Sequence, residues 1–375
     1  MNDRADRAEF RWWEYGWYVV VTVVLLSIGL VLLIGHLLIR TINGMKRIRT
    51  YLIALPVLLA LVAAWVGYSY YHTVDLGQRS VSIIVEPGAS FGSVVDELIS
   101  AGVIDSRMVL KQAARWEGVD RRLAPGRYDF TGENSCRSVL ERFRRADIVR
   151  IKVTIPEGAT LWQVASTLAA KLDLDSVAVI SLAEDRTFLR SMNLPCLEGY
   201  LFPETYFFPW GTRADQAVAE MAAMHRSMTD SIWPEHLPLG FSKDEIIKLA
   251  SVVEAETKVD SERVLVASVY TNRLRAGMKL DADPTVTYGL GGLDRPLVKK
   301  DLEEDNPYNT YLHKGLPPTP INSPGLASIK AALWPRDTEY MYFVADKSGG
   351  HRFSRTNDEH NRARREIRAT AQGNR

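Results

Sequence analysis

Two apolar runs near the N-terminus restrict this chain more than any other feature. Trp17 to Ile39 is 23 residues with no formal charge and one histidine, His36. Tyr51 to Gly67 is a second run of 17 residues, followed by Tyr68, Tyr70 and Tyr71. A helix rises about 1.5 Å per residue, so even the shorter run reaches roughly 25 Å, and the tyrosines extend it as an interfacial belt. A helix buried in a soluble core normally carries a polar face, so both runs read as transmembrane helices. Arg40, Lys46, Arg47 and Arg49 lie between them and place that short loop in the cytoplasm. The residues before Trp17 mix Arg4, Arg7 and Arg11 with Asp3, Asp6, Glu9 and Glu14, a weaker signal. With both spans real, the N-terminus and everything after His72 face outward. Met45, with Lys46-Arg47-Ile48-Arg49 and the second run behind it, would itself make a start for a signal-anchor, so one span or two stays open. Neither run is followed by a small-residue cleavage site, and both read as anchors.

The length of 375 residues allows two or three domains, and the formal net charge of +1 gives no case for nucleic-acid binding. The Arg-rich stretch from Arg352 to Arg375 reads as a solvated helix end. Cys136 and Cys196 are too few for a disulfide framework or a zinc cluster; they read as isolated thiols, with pairing left open. The seven histidines show no ligand spacing, and no metal is expected.

Beyond the anchor a short unit occurs twice. Val81 to Val85 is a strand, Pro87-Gly88 a turn, and Val94 to Leu98 begins a helix. Ile151 to Ile155, Pro156-Glu157-Gly158 and Thr160 to Leu168 repeat that order. Between the copies, Leu123 to Tyr128 reads as a turn entering a strand. Gly88-Ala89-Ser90-Phe91-Gly92 matches a nucleophile elbow, G-x-S-x-G. The second copy places Thr160 where the first has Ser90, and Thr160 with Gln163 forms a capping box. Ser90 and Thr160 are therefore expected to be helix N-caps. Glu198 to Tyr206 is dense in aromatics and carboxylates. It reads either as a carbohydrate-binding cleft, with Glu198 and Glu204 as acceptors, or as a loop whose aromatics pack down.

Ser242 and Glu245 form a capping box before an apolar run, predicting a helix from Lys243 to about Thr257. Ile246, Leu249, Ala250 and Val253 share its buried face. At 100° per residue Glu256 falls about 20° from Leu249, on the margin of that face. Partial desolvation there, together with the helix C-terminus, raises a carboxyl pKa and suits a general acid. Glu254 points roughly 200° away and is expected to have a supporting role. A second helix is predicted over Glu262 to Leu274, with Val264, Ala267, Ser268 and Thr271 on one face. Leu280 to Gly289, Asn306 to Tyr311 and Gly315 to Gly325 read as site-lining loops. Tyr340 to Val344 reads as a late strand, and Gly349 to Phe353 as a hairpin turn.

These segments together resemble the endolytic murein transglycosylase, or YceG-like, family. The resemblance rests on S-V-V-E-A-E-T at Ser251 to Thr257, S-E-R at Ser261 to Arg263 and N-R-L at Asn272 to Leu274. D-P-T-V-x-Y-G at Asp283 to Gly289, Y-N-T-Y at Tyr308 to Tyr311 and G-L-P-P at Gly315 to Pro318 extend it. F-V-A-D at Phe343 to Asp346 and E-H-N at Glu359 to Asn361 complete it. It covers roughly Val81 to the C-terminus. With the tail and membrane helices read above over residues 1–72, it implies an α+β fold with a LysM-like small α/β subdomain over 78–150 and a mixed α+β catalytic domain over 151–375. The usual relative has one span, so the stretch before Met45 is the main departure. Glu256 matches the family's catalytic acid. The implied reaction is non-hydrolytic cleavage of the β-1,4 bond between N-acetylmuramic acid and N-acetylglucosamine within peptidoglycan strands, ending their elongation. Glu254, Tyr288, Asn309, Tyr311, Glu198 and Glu204 are the candidate substrate-binding residues. Implied partners are peptidoglycan glycan strands, the inner membrane and peptidoglycan synthases (penicillin-binding proteins), with the catalytic domain on the extracytoplasmic side. No cofactor is expected; a pyridoxal phosphate-dependent lyase would need a cytoplasmic lysine site. The rival reading is a membrane-anchored peptidoglycan-binding module without catalysis.

Overall fold

A computed structural model describes residues 27–37, 46–346 and 349–372. Most of the first predicted span lies outside the described residues; its described part is the apolar helix α1 (Ser27–Leu37). The second forms part of α2 (Lys46–Tyr71). Its segment Tyr51–Tyr71, 21 residues with a mean hydropathy of 2.1, is long and apolar enough to cross a membrane.

The chain divides into two compact units, Met1–Val149 and Arg150–Arg375. In the first unit β1 (Val74–Asp75) leads into β2 (Val81–Val85), α3 (Phe91–Ser100), α4 (Arg107–Glu117), β3 (Gly126–Phe130), β4 (Glu133–Asn134) and α5 (Cys136–Arg145). Strands β2 and β3 pair antiparallel, from Val81 opposite Phe130 to Val85 opposite Gly126. Ile83 and Val85 face inward and alternate with exposed Ser82 and Ile84, the period of a strand with one face on a core. Phe143 of α5 seats the rings of Phe91, Tyr128 and Phe130 edge-on around it.

In the second unit β5 (Arg150–Thr154) pairs antiparallel with β6 (Thr205–Pro209) across α6 (Leu161–Leu172), α7 (Ser176–Glu184) and α8 (Arg186–Ser191). Then come α9 (Ala214–Thr229), α10 (Lys243–Glu256), α11 (Asp260–Arg275), α12 (Asp283–Gly289), α13 (Leu326–Leu333), the hairpin of β7 (Tyr342–Ala345) with β8 (His351–Ser354), and α14 (Asn357–Gln372). A helical core forms around Ile246, Leu249, Ala250 and Val253 of α10, with Val266 and Tyr270 of α11 and Ile329 of α13.

Both copies of the strand-turn-helix unit occur as expected. Ser90 accepts a hydrogen bond from the Ser93 backbone, and Thr160 closes a capping box with Gln163. Ser90 is thus a helix cap, which its elbow-like motif disguised. Two expectations need correction, and one open alternative is decided. Leu280 to Gly289 is not all loop, because α12 begins at Asp283 with Pro284 in its first turn, where a missing N–H costs nothing. α11 is buried on more than one face: Val264 is half-buried, whereas Val266, Val269 and Tyr270 are inside. The aromatics of the Glu198–Tyr206 stretch pack down. Tyr200, Phe202 and Tyr206 are buried, and the hydroxyls of Tyr200 and Tyr206 donate to Asp244 and to the Phe202 carbonyl. Cys136 and Cys196 are both free thiols.

Candidate active site

Helix α10 aims the site. Its N-terminus is fixed by the Ser242–Glu245 capping box. Its far end is held by Ser251, whose hydroxyl accepts from the Ile321 backbone and whose carbonyl accepts from the Asn322 side chain. Glu254 and Glu256 leave this end in different directions, as their spacing requires.

Glu254 turns inward. It accepts from Arg263 Nη1 at 2.9 Å and from the Gly325 backbone N–H at 3.0 Å. Arg263 also donates to Ser328 and Asp260, so one buried pair ties α10, α11 and the start of α13 together. Gly325 is required by close approach: a Cβ there would lie 1.9 Å from Glu157 Oε1. One Glu254 oxygen is taken by Arg263 and the other by Gly325, an arrangement that fits the supporting role expected of it and leaves it out of both clefts, so its place among the substrate-binding candidates finds no support here.

Glu256, the last residue of α10, is partly exposed. The Tyr270 hydroxyl donates to its Oε1 at 2.6 Å. Burial pushes its carboxyl up to about 7; the Tyr270 hydrogen bond opposes that rise and the charge of Asp283 adds to it. Tyr270 is held protonated by burial and by Glu256 itself. A carboxyl raised in this way holds its proton further toward neutral pH than an ordinary glutamate, which suits a proton donor.

Two clefts meet at this carboxyl. One, of about 730 Å³, is lined by Trp162, Tyr288, Asn322 and the Gly291-Gly292 turn. The other, of about 490 Å³, is lined by Tyr311, Tyr342, His351, His360 and Arg364. Glu256 and Asp283 border both.

The remaining candidates separate into two groups. Tyr288 lines the first cleft and donates through its hydroxyl to Glu198 Oε2 at 2.9 Å. Tyr311 lines the second and donates to Asp283 Oδ1 at 2.7 Å. Glu198 is buried; burial pushes its carboxyl up to about 7, against hydrogen bonds from the Leu161 backbone and Tyr288. It supports Tyr288 from below and lines neither cleft. Asn309 is corrected. It is fully buried, donates to the carbonyls of Leu302 and Glu304, and accepts from the Tyr311 backbone, so every polar atom serves the loop. Glu204 is corrected too: it is exposed at the start of β6, accepts from the Thr205 backbone, and borders neither cleft.

The structure adds three groups that residue patterns did not single out: Asp283, Tyr270 and Trp162. Asp283 lay within a motif already noted, without a role. Tyr270 shows no periodic signal that separates it from any core tyrosine. Trp162 had a legible sign, since it stands off the apolar face that Leu161, Val164, Ala165 and Leu168 define on α6. Arg273, from the N-R-L motif, lines the second cleft and is also tied into the fold. It donates to the carbonyls of Met341, Lys279 and Leu280, pairs with Asp281, and lies 5.0 Å from the Tyr342 ring.

The site is thus a carboxyl raised by burial at a helix end, opening onto two clefts of an α+β fold. The chain belongs to the YceG-like family, which matches residues 83–366. It is 30% identical over 317 residues to the endolytic murein transglycosylase of Bacillus subtilis, covering 80% of this chain and 88% of that one. It is 27% identical over 358 residues to the endolytic murein transglycosylase of Streptococcus pneumoniae, covering 84% of this chain and 64% of that longer one. A yceG-like protein of Listeria monocytogenes of known crystal structure superposes with a TM-score of 0.51 at 30% identity, over 76% of this chain and 98% of that one.

Proposed function

We propose that this chain is a membrane-anchored endolytic peptidoglycan lytic transglycosylase whose acid is Glu256. The observation that carries the reading is Glu256 itself: a carboxyl raised to about 7, steadied by Tyr270, at the meeting of two clefts. Protonated Glu256 gives its proton to the glycosidic oxygen between N-acetylmuramic acid and N-acetylglucosamine, and the C1–O4 bond breaks. The carboxylate left behind takes the proton of the muramyl C6 hydroxyl, and O6 closes on C1 as a 1,6-anhydro ring. Glu256 ends as it began, and no water is consumed. The negative charge of Asp283 stabilises the positive charge that develops at C1. The murein transglycosylase names of the bacillary and pneumococcal relatives support this substrate.

Helix α2 serves as the anchor, and the basic residues Lys46, Arg47 and Arg49 at its start keep that end in the cytoplasm, so that the ectodomain lies outside the membrane. The strand-helix-helix-strand order of β2, α3, α4 and β3 supports a LysM-like module that holds glycan. Cleavage within nascent strands would end their elongation and would make peptidoglycan synthases natural partners.

Digestion of peptidoglycan by the full-length chain in ¹⁸O-water, followed by mass spectrometry, tests the chemistry. Unlabelled 1,6-anhydromuramyl ends are expected. Asp283 favours one competing reading, because a glycosidase that admits water uses a second carboxylate. ¹⁸O-labelled reducing ends would establish that hydrolase and sink the transglycosylase. No cleavage by the wild-type chain would leave the binding module as the function.

A further inference from the structure

Trp162 has no explanation in the folding of its own helix. α6 buries Leu161, Val164, Ala165, Leu168 and Leu172, whereas Trp162 remains 52% exposed in its first turn. Single exposed aromatics are ordinary on protein surfaces, and Phe207 and Trp334 of the same unit are examples. Trp162 differs in two respects. It lines the larger cleft beside Glu256. It is also braced, with its ring centroid 5.6 Å from that of Tyr288, which lies 4.9 Å from Tyr308.

The brace is itself fixed from beneath. Buried Glu198 accepts from the Tyr288 hydroxyl at 2.9 Å, and both its oxygens accept from the Leu161 backbone at 3.1 Å. One carboxylate thus sets both the residue before Trp162 and the ring beside it. Tyr308 is pinned through its hydroxyl to Thr319 at 2.9 Å. A large flat ring held still costs little entropy when a ligand settles on it. A pyranose presents a face of C–H groups and a rim of hydroxyls, so it gains by covering an aromatic face while its polar rim stays wet.

We infer that Trp162 is a stacking platform for one N-acetylhexosamine ring of the glycan strand, seated in the larger cleft next to the bond that Glu256 cleaves. The inference rests on the proposed function for the identity of the strand, but its test reads binding alone.

The experiment is a calorimetric titration of the full-length Glu256→Gln chain in detergent with the hexamer of N-acetylglucosamine. That background stops turnover. Adding Trp162→Ala is expected to weaken binding about tenfold, equal to roughly 1.4 kcal/mol. Adding Trp162→Phe keeps a smaller ring and is expected to retain affinity within about threefold. No binding by the parent, isotherms of parent and Trp162→Ala that coincide in every phase, the phase from the LysM-like unit included, or the same loss in Trp162→Phe as in Trp162→Ala would each overturn the platform. Failure of the proposed function reads differently: the wild-type chain would release no 1,6-anhydromuramyl ends, whatever the titration gives.

Discussion

Glu256→Gln should abolish activity and at the same time stabilise the protein, but only above acid pH. The substitution keeps the side-chain volume, and the amide oxygen still accepts from the Tyr270 hydroxyl that lies 2.6 Å from Oε1. What it removes is a charge the site holds at a cost. The carboxyl is raised from 4.5 to about 7 on folding. At 1.36 kcal/mol per unit, that difference amounts to about 3 kcal/mol as a ceiling. The sign follows from the folded value lying above the unfolded one. Below pH 4.5 the acid is neutral in both states and folding loses nothing. Between that pH and about 7 the unfolded chain gives up its proton first, and stability falls. Above 7 the loss is complete. The stability difference between Glu256→Gln and wild type should therefore climb from acid to neutral pH and then level off. For a unit of this size the climb corresponds to roughly 6–12 °C in Tm. Activity should fall by about 10²- to 10⁴-fold, the usual loss for a general acid. Thermal unfolding of both chains in detergent from pH 4 to pH 9, beside anhydromuramyl release, measures both effects. A pH-independent Tm difference would refute the claim that Glu256 is held neutral by burial.

Further expectations are more local. Tyr270→Phe removes the hydrogen bond that favours the carboxylate, so the alkaline limb of kcat/KM should move up by about one pH unit; a limb that moves down or stays put would contradict the assignment. Glu254→Gln breaks a buried ion pair and should cost about 3 kcal/mol of stability, with far less effect on kcat per folded molecule than Glu256→Gln. Equal losses of kcat at both positions would leave the choice of acid without support. Alkaline phosphatase fused after Arg375 should be active if α2 anchors an outward-facing ectodomain, and an inactive fusion would overturn the topology.

How much of this was legible in the sequence depended on how local the cause was. Helix α10 was readable because its capping box and apolar period lie within one stretch of chain. The separate paths of Glu254 and Glu256 followed from the same geometry. Long-range partners were not readable. Asn309 looked like a loop residue facing ligand, yet its amide closes the turn onto Leu302 and Glu304. Glu254 meets Gly325 across 71 positions of sequence, and no periodic rule reaches that far. The burial of α11 on several faces escaped its polar residues because Arg263, Asn272 and Arg273 are inside only by virtue of distant carbonyls and carboxylates.

On the proposed function, a glycan strand bound at Glu256 continues away from it on either side, because Glu256 and Asp283 border both clefts. A blind pocket would count residues from a chain end, and its rate would track the number of ends. A passage used from the side tracks the number of interior bonds instead. Digestion of strands of graded length should then quicken in proportion to length, and the products of a long incubation should spread broadly rather than collect as one short oligomer. Any fixed product length would have to be imposed from beyond the groove, by how much strand is delivered to it before it cuts.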